Sequence, residues 1–331
     1  MMISRTKRGA AAAALLVAAS LPLSATALAA AEGPGRASAG TGSYLAGRFA
    51  QHQDDWKAAA QYMGQALAAN PGDTALTRRA FILKLGEGQI DTALALAMRL
   101  TGQDGEPQLA SALLVADALK RDRLKDAEDL LKGMPREGLG KFLGPLYEAW
   151  LAAARKDSAR AQQALAPLGT TSGFAALHNL HMALVLDVGG KPAEAGEFYR
   201  KVVGNEAPLR VVQLVGNYAE RQGQADEARR LYTAFRNGNP DNVMIEPALK
   251  ALEAGTPPKP IVADARQGLG EALFDLGSAL HHEGAEETAL LFGRIALHLR
   301  PDLTLARLMI GDIMDGRDHH EEALAEYRAL E

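Results

Sequence analysis

An all-α solenoid of about eight helix hairpins is the fold that this sequence predicts, and three observations predict it. An alanine recurs at Ala59, Ala93, Ala127, Ala161, Ala195 and Ala228, with four intervals of 34 residues and one of 33, and again at Ala289 and Ala323, 34 apart. Five positions before these alanines stand Asp54, Gly88, Asp122, Lys156, Gly190, Gly223, Gly284 and Asp318, mostly residue types that stop a helix or form a turn. Gly47, Gly216, Gly277 and Gly311 fall in the middle of the first helix of their units, and Pro71, Pro240 and Pro301 close theirs, because a proline ring cannot continue a helix. Two antiparallel helices on a short turn lie close only where the crossing side chains are small. Gly in the first helix is therefore expected to face Ala in the second, with Leu, Tyr and Phe around them; a bulky residue there would overpack the crossing by about 1–3 kcal/mol. A content of 47% hydrophobic but only 5% aromatic residues suits helices packed through Ala and Leu.

Taken in order, residues 1–31 read as an export signal. Arg5, Lys7 and Arg8 precede a short apolar run over residues 10–19. Ala25-Thr26-Ala27, Ala27-Leu28-Ala29 and Ala29-Ala30-Ala31 then offer small-residue cleavage sites. Removing this segment leaves 33 basic against 40 acidic residues, the wrong balance for a phosphate-backbone partner. The chain has no Cys, so it has neither a lipidated cysteine nor a disulfide framework. The expectation is a periplasmic protein with no stable membrane insertion once the signal is cleaved, since no later apolar run is long enough to span a bilayer.

Residues 32–42 are rich in Gly, Ser and Pro and are expected to form a flexible lead; residues 43–242 hold repeats one to six. Between Ala228 and Ala289 the interval stretches to 61 residues, one unit and 27 more. The surplus falls in residues 243–269, with a short helix over 246–254 and then Gly255-Thr256-Pro257-Pro258-Lys259-Pro260. Either that helix continues the stack and a proline loop follows, which is the expectation, or the segment is a semi-rigid spacer dividing six repeats from two. Residues 270–331 hold repeats seven and eight. Glu331 falls within a helix, so the native chain is expected to continue.

The stretches LFDLGSALHHEGAEETALLFGRIALHLRPD, AGRFAQHQDDWKAAAQYMGQALAANPGD and LVGNYAERQGQADEARRLYTAFRNGNPD resemble tetratricopeptide repeats. The units around Ala161 and Ala195 are degenerate, lacking the closing Pro and the Leu-Gly pair. The resemblance implies a right-handed superhelix whose first helices line a concave groove that binds a peptide or protein. It places Leu143, Leu146, Tyr147 and Trp150 of unit four on that face, with Leu177, Leu180, His181 and Leu184 of unit five. Arg210, Gln213, Asn217 and Arg221 of unit six and Phe274, Asp275 and Ser278 of unit seven complete it. An amphipathic helix or extended peptide would suit an apolar, aromatic groove with polar flanks. Tyr147 and Trp150 equally suit packing between superhelical turns or against an extra helix.

No catalytic constellation emerges. Besides lacking Cys, the sequence has no H-E-x-x-H, no G-x-S-x-G and no Gly-rich loop between strand and helix. His281-His282 and His319-His320, with Glu283 and Glu321 beside them, are of types that bind Zn, Cu or Ni and equally suit exposed polar turns; neither a metal nor a cofactor is expected. The sequence thus points to a non-enzymatic interaction scaffold of the bacterial cell envelope. The alternative is the N-terminal interaction module of a longer envelope protein or enzyme, related to polysaccharide export or the cell wall.

Overall fold

A computed structural model describes residues 35–103, 108–204 and 207–330. Six hairpins come first: α1 (Gly35–His52) with α2 (Trp56–Ala69), α3 (Thr74–Gly86) with α4 (Ile90–Leu100), and α5 (Gln108–Lys120) with α6 (Leu124–Gly133). They continue as α7 (Gly140–Ala154) with α8 (Ser158–Gly169), α9 (Ala175–Val188) with α10 (Pro192–Val202), and α11 (Leu209–Arg221) with α12 (Ala225–Gly238). A single α13 (Glu246–Glu253) follows a 3-10 turn at Val243–Ile245. The last two hairpins are α14 (Ala265–His282) with α15 (Glu286–Leu299), and α16 (Thr304–Asp315) with α17 (His320–Arg328). No strand occurs among the described residues. The protein is an all-α solenoid of helix hairpins.

Each hairpin turn has the same backbone device. Asp54, Gly88, Asp122, Lys156, Gly190, Gly223, Gly284 and Asp318 all have positive φ, between 58° and 77°. A left-handed residue ends the first helix and reverses the chain within a few residues, which Gly does without a Cβ penalty and Asp tolerates better than most. Lys156, at φ 61°, is the one residue of the eight that has neither advantage. Aspartates then start helices: Asp55 and Asp157 accept hydrogen bonds from Ala58 N and Arg160 N, and Asp73 and Asp264 do the same at α3 and α14.

The eight periodic alanines are all buried, but Gly47, Gly216 and Gly311 do not face them. A Cβ on Gly216 would run into the Tyr232 ring, one on Gly311 into Tyr327, and one on Gly47 would lie 3.0 Å from Met63 Cε. Gly277 touches the backbone oxygen of Ala289 and otherwise meets Phe292 and Met309. The reason is the antiparallel pairing: Gly47 and Met63 lie equally far from the turn at Asp55, whereas Ala59 is nearer to it. The small residue makes room for a large partner side chain, one helical turn beyond the alanine.

Two further expectations are corrected. Residues 35–42 are helical, as part of α1, and not a flexible lead; Gly40 abuts Asn70 and Ala69 at the end of α2. The hairpins also do not run on as one open stack. The surplus helix α13 packs on α12, and beyond the proline segment the chain turns back into its own concave side. There α14 lies across α5, α7 and α9, and α15 lies across α3 and α5. The eighth hairpin reaches the opposite end of the arc, where Arg317 Nη1 is 3.6 Å from Asp54 and its guanidinium lies over the Trp56 ring.

Two substitutions test this packing. Gly216→Ala should lower the unfolding free energy by about 1–3 kcal/mol and cost clearly less in a Tyr232→Leu background; equal costs in chemical denaturation would refute the contact. Lys156→Gly should raise stability by about 0.5–1 kcal/mol by relieving the left-handed backbone.

Candidate functional site: the concave face and its open cleft

The first helices of the middle hairpins turn their large apolar side chains to the inside of the arc. Leu146, Tyr147, Trp150, Leu180 and Leu184 are there, with His181 among them, and all are buried. What buries them is the chain itself. Trp150 is seated against α14 at Gly268, where a Cβ would collide with three atoms of the indole. Only a residue without a side chain lets the two helices close to this distance. The expectation of an open groove at these positions is therefore replaced by packing against an additional helix, supplied by unit seven. Phe274 and Asp275, expected on the receiving face, lie on the helix that enters it.

The seam between arc and inserted helix is polar at its centre. His181 is 0% exposed and its Nε2 lies 3.1 Å from Asp275 Oδ2. The ring stands edge-on to Trp150, with centroids 6.0 Å apart. Burial raises the Asp275 pKa, and His181 opposes that shift by a hydrogen bond and its charge. One turn earlier on α14, Glu271 is 0% exposed. It accepts from Arg210 Nε at 3.0 Å and is also paired with Arg300 at the end of α15. Burial works against the Arg210 charge, but Glu271 outweighs it and raises the arginine pKa. Tyr147 donates to the Ala112 carbonyl at 3.0 Å, and burial pushes its pKa well up. At the other end of the seam, His298 of α15 lies 3.1 Å from Asp117 of α5 and 3.3 Å from Lys120 Nζ. Arg294 of the same helix donates to the Gly86 carbonyl at 2.9 Å.

Past this seam the concave side stays open. A cleft of ≈ 490 Å³ lies between α11, α13 and the proline segment, with Arg210, Gln213 and Asn217 in its wall. Tyr232, Met244, Pro247, Pro257 and Pro258 supply apolar surface. Asn217 braces the segment by donating to the Lys259 carbonyl at 2.9 Å, and Gln213 donates to that of Met244 at 3.3 Å. The volume falls in the usual range of ligand-sized clefts, roughly 300–1,000 Å³.

No family model and no curated protein sequence matches the chain. Among solved structures, the TPR domain of P58(IPK) aligns over 88% of this chain and 92% of its own, with 13% identity and a TM-score of 0.29. A monomeric IFIT1 mutant with Gppp-AAAA aligns over 88% of this chain and 68% of its own, with 11% identity and a TM-score of 0.33. The hairpins share one geometry of their own, a Gly, Asp or Lys turn residue at positive φ followed by a buried alanine.

The histidine pairs are not brought into one site. His281 and His282 end α14, His319 Nε2 lies 3.7 Å from Asp54, and His320 Nδ1 lies 2.8 Å from Asp315. No group of three or more ligand-type side chains is placed to hold a metal ion among the described residues. Sequence reasoning missed Glu271, Arg300, Asp117 and His298, because each falls inside a repeat that scans as ordinary, and Gly268, because it falls in the segment read as a connection. The available signal was Gly268-Leu269-Gly270-Glu271, two extra glycines and a carboxylate at the start of a first helix.

The His298 contact predicts a pH dependence. Burial, then Lys120, lowers its pKa below the usual 6.5. The unfolded chain thus binds this proton at a higher pH than the folded chain, so the stabilising contribution is complete above 6.5 and is lost as pH falls below it. Chemical denaturation between neutral and mildly acidic pH should show wild type losing stability faster than His298→Gln; parallel slopes would contradict the burial.

Proposed function

We propose that the chain is a non-catalytic interaction scaffold of the bacterial cell envelope, exported by its N-terminal segment, which holds a peptide or protein segment against its concave side. The observation that carries the reading is the cleft beside α11. It is a stretch of that side beyond the helices that α14 crosses, and three side chains in its wall come from the first-helix positions that the tetratricopeptide resemblance marks as inward-facing. Apolar walls with a few fixed polar groups suit a short peptide segment. The buried acids, bases and histidines of the seam are engaged with one another across helices, which is a structural use of ionisable groups. The acidic balance of residues 32–331 favours a protein partner over a nucleic acid. The basic and apolar pattern of the first residues supports export.

Both parts are open to test. Expressed in full, the chain should fractionate with the periplasm and carry a new N-terminus after Ala27, Ala29 or Ala31; cytosolic protein retaining residues 1–31 would end the localisation. A photo-crosslinking residue in place of Ala251, in the cleft, should give discrete protein adducts in the envelope, whereas one in place of Arg229 on exposed α12 should not. Identical adduct patterns from the two positions would remove the cleft as the contact.

A further inference from the structure

The inserted helix fits the shape of the concave face better than it fits its polar chemistry. Trp150 Nε1 and His181 Nδ1 are buried and have no hydrogen-bond partner among the described residues. Their rings are in edge contact, so the two unmet atoms belong to neighbouring side chains of the face that α14 covers. A buried polar group left unmet loses the hydrogen bonds it made with water. The helix is also joined to the arc only through residues 254–264, without a hairpin turn, and residues 254–257 of that connection are exposed. Its contacts show what the face selects. Gly268, Glu271 and Asp275 lie on one stripe, spaced so that a small residue meets Trp150 and two carboxylates meet Arg210 and His181.

We propose that the concave face is a helix-binding site kept shut by the chain's own α14. Its partner is an acidic amphipathic helix presenting a small residue to Trp150 and carboxylates three and seven positions later. This rests on the scaffold reading and adds a second, gated contact to it. The tether gives α14 an effective concentration on the order of millimolar. A competing helix prevails by supplying polar partners that α14 does not bring, an acceptor for Trp150 Nε1 and a hydrogen-bond partner for His181 Nδ1.

The probe is a fluorescein-labelled peptide of α14 itself, residues 265–282, titrated into the full chain and followed by anisotropy. Wild type should bind it weakly, since the resident helix competes. Full-length Gly268→Leu, whose helix no longer seats over Trp150, and Asp275→Ala, which loses its bond to His181, should each bind it about tenfold more tightly. A peptide that itself carries Gly268→Leu should bind neither. Variants that keep their helical circular dichroism and bind no better than wild type overturn the proposal. Loss of helicity in both overturns it equally, because the arc would then not stand without α14. Crosslinking from Ala251 is a separate readout: adducts there without peptide exchange here retain the scaffold reading and discard the gate.

Discussion

Glu271 is the point on which the arrangement turns. Its carboxylate has no contact with solvent and lies between Arg210 of the arc and Arg300 of the inserted hairpin. Removing three charges from water is expensive, and an apolar trio of similar size would often be as stable. What the ions add is position. A hairpin slid by one turn along the concave face would carry Glu271 and Arg300 away together and leave the buried Arg210 guanidinium without its counter-charge, so α14 has one register. In that register Gly268 falls under Trp150 and Asp275 meets His181, and the remaining contacts of the seam follow.

A repeat array normally grows in one dimension, each unit packing on its neighbours. Here the array bends far enough for its last two hairpins to fill the hollow made by the first six. The apolar first-helix residues that a repeat leaves on its inner face are thereby buried, as Leu146, Leu180 and Leu184 are. The interior is two layers deep, and its long-range ties (His298 to Asp117, Arg294 to Gly86, Arg317 to Asp54) join residues far apart in the chain. The proline segment is what permits the reversal. It ends the regular stack after α13 and is braced on α11 by Asn217, so the chain enters the hollow at a defined angle.

Much of the local structure was legible in the residues, because hairpin geometry is a neighbour property. The turn positions follow from the Gly or Asp five before seven of the eight alanines, and all eight positions, Lys156 included, take up the left-handed backbone. The depth of the alanines follows from their size and spacing. The identity of the crossing partner did not, since facing is decided by distance from the turn rather than by matching small with small; Gly216 therefore meets Tyr232. Nor was the insertion legible. Periodicity reports which face of a helix is apolar, not which distant helix will cover it, and Trp150 looks the same whether a partner or α14 lies above it. The interval of 61 residues, the proline segment within it and the glycines flanking Leu269 mark the reversal, and none gives its direction.

The central claim is that α14 covers the concave face in the free protein. Replacing Trp56 by Phe leaves Trp150 as the sole tryptophan, and its fluorescence then reports directly on that seam. The account predicts blue-shifted emission and little quenching by acrylamide, with both signatures lost when Gly268→Leu is added. Red-shifted, readily quenched emission in the single-tryptophan chain, with its helicity intact, would contradict it.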